Sequence, residues 1–303
     1  MKSLLSIITI LVAYGCLSFQ GATAFEDTGK TKAQLTILVM DPLAGPLACS
    51  CIEGYAQRKY DELAKHLTQG SFASFRVIYA ESIESAKRLD LQAHFDMIIG
   101  KDSVVRHQTM AAKRVYAPLA SLTDKQGLTT QRGLFVVHRA SPTASLLDLE
   151  NREIYFGSEE CDEKYSAPTE MLKEIEVPHV AKRCATCAEA VKKLMTAEDP
   201  SSQAAVISSY AIALLEGCGT VRKGDIRIVG ETEPVLFITA FVDSTLDKHL
   251  LSSIQQALFQ TKNFAELLKS LESRDGFVPY QTTLNEASLS QEASLSQLDV
   301  KKK

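Results

Sequence analysis

The chain has 303 residues, 45% of them hydrophobic, and a formal net charge of −4 at pH 7. This apolar share is ordinary for a globular protein, and the length is sufficient for two lobes of mixed helix and strand. The sequence has no basic stripe with interleaved aromatic residues, which argues against a nucleic-acid partner.

The first 24 residues have the pattern of a secretory signal peptide. Lys2 supplies a basic start, residues 4–19 are apolar, and residues 22–24 form a small-x-small cleavage site. We therefore expect a periplasmic protein that is cleaved after Ala24. The alternative is lipid anchoring at Cys16, because residues 12–16 resemble a lipobox.

The first half of the mature chain alternates strands with helices. Strands are predicted over residues 35–40, 75–79 and 95–100, where β-branched, aliphatic and aromatic residues cluster. Helices are predicted over about 51–68, after Ser82, and after a cap at Asp102 or Ser103. This alternation predicts a mostly parallel sheet that is covered on both faces.

The second half repeats this pattern and then returns to the first lobe. Crossing strands are predicted over 134–138 and 236–242, and two closing helices over about 246–260 and 264–273. Further elements are predicted between the crossings, namely strands over 204–207 and 226–229 and helices over 187–195 and 209–215. One crossing out and one crossing back predict a hinged two-lobe binding protein.

The predicted lobe boundaries follow from the two crossings. Lobe one consists of residues 31–136 plus 240–280, and lobe two of residues 137–239. Residues 281–303 contain a duplicated Ser- and Gln-rich hexapeptide followed by three lysines, so we expect them to form a disordered tail.

One turn in the second lobe has a composition suited to ligand binding. A short strand ends at Phe156-Gly157, and a helical pattern begins near Pro168. A strand that leads into a helix start forms an anion pocket, because free backbone N–H groups and the helix dipole point into it. Phosphate-binding turns usually carry hydroxyl side chains, whereas this turn carries Cys161, Asp162 and Glu163. The scaffold is typical of oxyanion binding, but a thiol and two carboxylates take the place of the usual hydroxyls in the pocket.

The chain resembles the phosphate, phosphite and phosphonate periplasmic binding proteins of ABC transporters over about residues 35–278. In that family a strand ending in Phe-Gly precedes Ser-Thr-Ser-Gly at a helix start, with Pro four residues later. Phe156, Gly157 and Pro168 keep this frame, and residues 161–164 occupy the Ser-Thr-Ser-Gly positions. Residues 98–100, 189–191 and 205–209 match other family landmarks.

The resemblance implies an α/β protein with two doubly wound lobes joined by hinge strands, the type 2 periplasmic-binding fold. It also implies a small-molecule or ion ligand, an inner-membrane ABC permease as partner, and a monomer. In the family the hydroxyls and helix N–H groups hold the phosphoryl oxygens. Asp162 and Glu163 would instead repel a dianion, by roughly a few kcal/mol if desolvated. We therefore predict weak or no binding of phosphate and phosphonates.

Six cysteines remain after the signal peptide: Cys49, Cys51, Cys161, Cys184, Cys187 and Cys218. An even number in an exported chain predicts structural disulfides that brace the loops. Two alternatives stay open. Cys161, Cys184 and Cys187 could form a thiolate site for a soft metal or metalloid, or Cys184 and Cys187 could form a redox pair. Apart from such an ion, no cofactor is expected.

Candidate ligand-binding residues lie at the carboxyl ends of strands and at the crossings, where loops of a doubly wound lobe face the cleft. They are Cys49, Cys51, Ser103, Thr129, Thr130, Cys161, Asp162, Glu163, Cys184, Cys187, Ser208 and Ser209.

No catalytic residue is predicted and the chain is not expected to be an enzyme, because it contains no recognisable nucleophile, phosphate-loop or metalloprotease motif. The predicted function is solute binding for an ABC transporter through an altered pocket that bears cysteine and carboxylate. The alternative is a periplasmic accessory or sensor protein that binds a soft metal or metalloid for an oxidoreductase or signalling system.

Overall fold

The computed structural model describes residues 33–48, 56–91 and 94–281. The predictions on the signal peptide, Cys16, Cys49, Cys51 and the tail beyond residue 281 lie outside these residues. The strands within the described residues are β1 (Ala33–Met40), β2 (Ala73–Tyr79), β3 (Met97–Lys101), β4 (Tyr116–Leu122), β5 (Thr130–Gln131), β6 (Gly133–His138), β7 (Glu153–Phe156), β8 (Val180–Arg183), β9 (Gln203–Ser208), β10 (Ile226–Glu231), β11 (Val235–Leu236), β12 (Ile238–Asp243) and β13 (Phe277–Pro279).

The helices of the same part of the chain cover the faces of these sheets. They are α1 (Tyr60–Gly70), α2 (Ile83–Leu89), α3 (Asp102–Ala111), α4 (Ser166–Glu174), α5 (Cys187–Thr196), α6 (Ala211–Gly217), α7 (Lys248–Gln260) and α8 (Ala265–Ser270). Short 3-10 helices lie at Leu146–Leu149, Asp162–Lys164 and Thr261–Asn263. None of these described helices has the length and apolar composition needed to cross a membrane.

The strands form two separate mixed sheets. The first has the order β2-β1-β3-β12-β4-β13, in which β1 pairs in parallel with β2 and β3. The second has the order β10-β6-β9-β7-β8, in which β7 pairs in parallel with β8 and β9. The strands that follow a crossing, β6 and β12, pair antiparallel with their neighbours. The prediction of two α/β lobes of the type 2 periplasmic-binding kind is confirmed.

The two sheets are connected by a short antiparallel ladder of β5 and β11, in which Gln131 is opposite Val235. Residues 134–138, predicted as a crossing strand, lie inside β6 and belong wholly to the second sheet. The expected lobe boundary between residues 136 and 137 falls within the same strand. The crossing lies earlier because β6 completes the second sheet by pairing with β9 and β10.

Each sheet is buried on both faces, as expected for parallel strands covered by helices. In β1, Ile37 and Val39 pack in one hydrophobic cluster, and Leu38 and Met40 pack in another. This alternation follows from the two-residue side-chain period of a strand. The second sheet likewise separates two clusters.

Helix α1 begins at Tyr60 and not near residue 51 as predicted. Arg58, two residues before the helix, is held in a β-bridge with Ala44: its N–H donates to Leu43 O at 2.8 Å, and its carbonyl accepts the Gly45 N–H at 3.0 Å. The inner face of the helix is the one that the spacing of its apolar residues predicts, since Leu63 and Leu67 are fully buried.

Two predicted helix caps have different outcomes. Ser82 caps α2, because its hydroxyl accepts the Ser85 N–H at 3.0 Å. The cap predicted at Asp102 or Ser103 is wrong, because Asp102 is itself the first helical residue. The Ser103 hydroxyl instead accepts the Asp162 N–H from the other lobe at 3.1 Å.

Candidate functional site

The turn after β7 encloses one of its own carboxylates. Strand β7 ends at Phe156, and the chain then forms the 3-10 helix Asp162–Lys164 before α4 begins. Gly157 N–H donates to Lys164 O at 3.1 Å and closes the turn. Within it the Glu163 side chain points inward and is only 1% exposed. A glutamate so deeply buried requires partners for its charge.

Three side chains supply those partners. Lys101, at the end of β3 in the first lobe, forms an ion pair with Glu163 Oε1. Ser208, at the end of β9, donates its hydroxyl to the same oxygen at 2.8 Å. Cys161 Sγ lies 3.2 Å from Oε1 and 3.1 Å from Oε2 of the carboxylate. The carboxylate is thus surrounded by donors as a bound anion would be.

The pKa values of the ion pair favour the charged forms. Burial opposes ionisation of Glu163, but the Lys101 charge outweighs this effect and lowers the pKa of Glu163 to about 2. Burial likewise opposes the charge of Lys101, yet the Glu163 carboxylate raises the pKa of Lys101 well above its ordinary value. The Lys101 ammonium also lies 5.5 Å from the centre of the Tyr210 ring. Both residues are therefore charged at neutral pH.

Cys161 is a protonated thiol in this setting. Burial raises its pKa to about 12, although the nearby Lys101 charge acts in the opposite direction. Its sulfur also lies 3.3 Å from Lys101 Nζ, so it belongs to the same cluster. Since the thiolate is the nucleophile and the metal ligand, this sulfur is suited to hydrogen bonding and not to either chemistry.

Two further contacts join the lobes beside this centre. Asp162 N–H donates to Ser103 Oγ at 3.1 Å, and Gln108 Nε2 donates to Glu160 Oε2 at 2.8 Å. The Asp162 carboxylate itself is only half-buried, and burial raises its pKa. The first lobe thus contacts the turn through β3 and α3, and Glu163 is the member of the predicted carboxylate pair that lies at the centre.

A small cavity of about 230 Å³ lies next to Lys101 in the cleft. Apolar side chains contribute most of its wall, among them Leu43 and Leu214, and Tyr210 closes one side. Cys187 and Lys164 also line it. The cleft therefore offers a mainly apolar space beside an ion pair that is already complete.

The other predicted residues are distributed around this centre. Thr130 and Ser209 line a second, larger cavity near the crossing. Thr129 is buried, and its carbonyl accepts the Phe237 N–H at 2.9 Å. Cys184 is buried in a hydrophobic cluster with Val191. The structure thus brings Cys161, Glu163 and Ser208 together, with Ser103 and Asp162 beside them.

The structure describes four cysteines, and none of them is in a disulfide: Cys161, Cys184, Cys187 and Cys218. The prediction of structural disulfides is therefore wrong for these four, because Cys161 faces Glu163 while Cys184 packs in the core of the second lobe. Within residues 33–48, 56–91 and 94–281, no group of three His, Cys, Asp or Glu side chains could hold a metal ion. That finding gives no support to a soft-ion site at Cys161, Cys184 and Cys187.

Sequence reasoning missed Lys101 and Tyr210. Lys101 lies two residues after the apolar run of residues 97–99, at the end of a predicted strand, where parallel strands present ligands, so its location offered a usable signal. Tyr210 lies just before α6 and stacks on Phe237, with ring centres 5.3 Å apart. No local sequence pattern predicts the stacking of Tyr210 on Phe237.

A second buried charge cluster organises the loop after β1. Asp41 accepts hydrogen bonds from Arg58 Nη1 at 2.9 Å and from the Tyr60 hydroxyl at 2.5 Å. Its other oxygen accepts the Leu43 N–H at 2.9 Å. Burial opposes the charge of Arg58, but Asp41 raises the pKa of Arg58 above its ordinary value. This cluster fixes the loop that forms one wall of the cleft.

Comparison with known families identifies the class. Residues 54–283 match the family described as ABC transporter, phosphonate, periplasmic substrate-binding protein. The chain belongs to this family, whose members are transport-binding proteins of the periplasm. A comparison with curated proteins found no match.

Solved structures share the fold at low sequence identity. A Xanthomonas citri protein bound to ATP is 15% identical with a TM-score of 0.62, covering 88% of this chain and 98% of that one. PhnD1 from Prochlorococcus marinus in complex with methylphosphonate is 11% identical with a TM-score of 0.60, covering 88% and 99%. A binding protein component of an ABC phosphonate transporter from Pseudomonas aeruginosa is 11% identical with a TM-score of 0.58, covering 88% and 86%.

Proposed function

We propose that the protein is an exported, monomeric solute-binding component of an ABC transporter whose cleft does not accept phosphate or phosphonates. The observation that carries this proposal is the buried Glu163 carboxylate, held by Lys101, Ser208 and Cys161. Glu163 lies in the turn whose hydroxyls and N–H groups hold phosphoryl oxygens in the family. The protein's own carboxylate therefore stands in for the phosphoryl group.

Electrostatics explains why a second anion is excluded. Two unit charges 4 Å apart interact by about 4 kcal/mol at the effective dielectric near a protein surface. A phosphonate dianion beside the pair would have the repulsion of Glu163 set against the attraction of Lys101, so the neutral pair offers it no net attraction. The Lys101 ammonium, which would otherwise attract the dianion, is committed to Glu163. Ligands that carry no anionic group avoid this cost.

Binding, and not catalysis, is the role that fits the cluster. Lys101 and Glu163 are charged and hold each other, so neither is available as a free acid or base. Cys161 is protonated, since burial raises its pKa to about 12. The partner is then an inner-membrane permease that receives a small ligand from the cleft between the lobes.

Calorimetric titration of the mature protein tests the proposal. Phosphate and methylphosphonate should give no heat of binding up to millimolar concentration, while a thermal-shift screen of neutral and zwitterionic solutes should yield at least one stabilising ligand. Micromolar binding of either anion would overturn the altered pocket. A screen in which no solute raises the melting temperature would count against transport of a small solute.

A further inference from the structure

The cavity of about 230 Å³ beside Lys101 combines hydrocarbon with positive charge in its wall. Its largely apolar members are Pro42, Leu43, Tyr210, Ala211, Leu214 and Leu215. Its charged members are two lysines, Lys101 and Lys164, and no carboxylate among the described residues lines it. The volume is somewhat below the roughly 300–1,000 Å³ of sites for drug-sized ligands, so the cavity suits a small solute.

Of the two lysines, Lys164 is the one whose charge lacks a partner. Lys101 is committed to its ion pair with Glu163. In the part of the chain that the structure describes, the Lys164 ammonium forms no ion pair. Lys164 is also half-buried, so its charge is only partly hydrated. A partly desolvated ammonium without a counter-ion favours the approach of an anion.

The Lys164 side chain is held in place by the first residue after β7, Gly157. A Cβ at Gly157 would lie 2.7 Å from Lys164 Cβ and 2.9 Å from Lys164 Cε, so the lysine stem lies directly across the glycine backbone. Burial opposes ionisation of Glu163, and the Lys164 charge acts together with that of Lys101 to lower the pKa of Glu163 to about 2. The Lys164 ammonium is therefore part of the charge cluster in the cleft.

The charges of this cluster distinguish a monoanion from a dianion. Lys101 and Lys164 are each positive and Glu163 is negative, which leaves one net positive charge. A single carboxylate cancels that charge. A phosphonate dianion would exceed it and leave a negative charge uncompensated beside a mainly apolar wall. The cluster thus matches an anion that carries one charge.

We propose that this cavity binds a small monocarboxylate with an apolar body, such as a short fatty acid. Its carboxylate pairs with the Lys164 ammonium, and its hydrocarbon chain lies against Leu43, Leu214 and Tyr210. The inference rests on the proposed function and deepens it by naming the class of solute. A neutral solute with the same chain lacks only the ion pair, so it binds the same wall more weakly.

Titration calorimetry with three matched probes tests the assignment. Hexanoate has both the chain and the charge, hexanamide has the chain without the charge, and acetate has the charge without the chain. We expect hexanoate to bind at least about tenfold more tightly than either of the others, because only hexanoate uses both Lys164 and the apolar wall. Equal affinity for hexanoate and hexanamide, or no binding of hexanoate at millimolar concentration, would overturn the proposal.

Variants of Lys164 separate the ion pair from the apolar contacts. Lys164→Met keeps an apolar stem and removes the charge, so it should bind hexanoate at least about tenfold more weakly and hexanamide as before. Lys164→Arg keeps the charge and should retain the preference for hexanoate. Lys192→Met is the matched control, because it removes the same charge from an exposed position on α5. Unchanged hexanoate affinity in Lys164→Met, or an equal loss in Lys192→Met, would contradict the role of Lys164.

Failure of this inference is distinguishable from failure of the proposed function. The proposed function is tested with phosphate and methylphosphonate, and none of the three probes used for Lys164 carries a phosphoryl group. A wild-type protein that binds hexanamide as tightly as hexanoate would overturn the monocarboxylate ligand and leave the solute-binding role intact.

Discussion

The Lys101 ammonium of the first lobe and the Glu163 carboxylate of the second form an ion pair whose side chains are 7% and 1% exposed. The pair links β3 to the turn after β7, so it stabilises contact between the lobes as well as the fold of each. A buried pair of this kind costs much when one partner is removed and little when both are replaced.

Removal of one partner should therefore destabilise the protein strongly. Glu163→Gln or Lys101→Met alone should lower the free energy of unfolding by about 3–5 kcal/mol in urea denaturation, because each leaves an uncompensated buried group. The double variant should recover at least about 2 kcal/mol relative to the sum of the single losses.

Lys65 and Glu62 provide a matched control for that experiment. They form an exposed ion pair within α1, so Glu62→Gln should change stability little. Strictly additive effects of Lys101→Met and Glu163→Gln would contradict the coupling seen in the structure.

Acid should weaken the same contact over a defined pH range. The folded-state pKa of Glu163 is lowered to about 2 from the ordinary 4.5, so its stabilising effect is complete above about pH 4.5. The effect is lost progressively as the pH falls through about 2. Urea unfolding between pH 6 and 2.5 should show a steeper loss of stability in the wild type than in Glu163→Gln. Parallel curves would mean that Glu163 titrates normally.

Removal of the internal carboxylate should create an anion site. In Glu163→Ser the Lys101 charge and the Ser208 hydroxyl lose their partner, and the new hydroxyl restores the chemistry typical of the family. We expect methylphosphonate to bind with Kd of about 100 μM by calorimetry, where the wild type shows none. Lys101→Met/Glu163→Ser is the control and should not bind. Absence of binding in Glu163→Ser would show that the carboxylate alone does not exclude the anion.

The thiol of Cys161 should resist alkylation until Glu163 is changed. With its pKa raised to about 12 by burial, Cys161 should remain unmodified by iodoacetamide at pH 8 while the half-buried Cys187 reacts. Glu163→Gln removes a charge that disfavours the thiolate and leaves Lys101, which favours it. Peptide mapping should then show faster labelling of Cys161, with Cys187 as the internal reference. Equal labelling in both proteins would argue against this electrostatic arrangement.

Much of the fold could be predicted because its signals are local. The runs of residues 35–40 and 204–207 have the composition of buried strands, and both lie within strands β1 and β9. The start of α1 was misplaced because a tertiary contact decides it, namely the bridge between Ala44 and Arg58. No local pattern encodes that bridge.

The site was only partly predictable for a similar reason. The composition of the turn pointed to Cys161 and Glu163, but sequence suggested that their role is to face a ligand. Their role in the structure depends on Lys101, which lies 62 residues from Glu163 in the chain. That Lys101 of one lobe compensates the Glu163 charge of the other can be recognised only once the ends of β3 and β7 have been located in the fold. The same holds for Gln131, whose buried side-chain amide lacks hydrogen-bond partners only as a result of tertiary packing.

Gly133 is the first residue of β6, and its backbone packs against the backbone of the turn. A Cβ at this position would lie 1.9 Å from the Glu163 carbonyl oxygen, so even alanine would displace one of the two segments. Gly133 N–H is also fixed, since it donates to Thr232 Oγ1 at 2.9 Å. This close approach couples the start of β6 to the position of Glu163, so a residue with a Cβ at position 133 would disturb the Lys101–Glu163 ion pair from a site that touches neither of their charged groups.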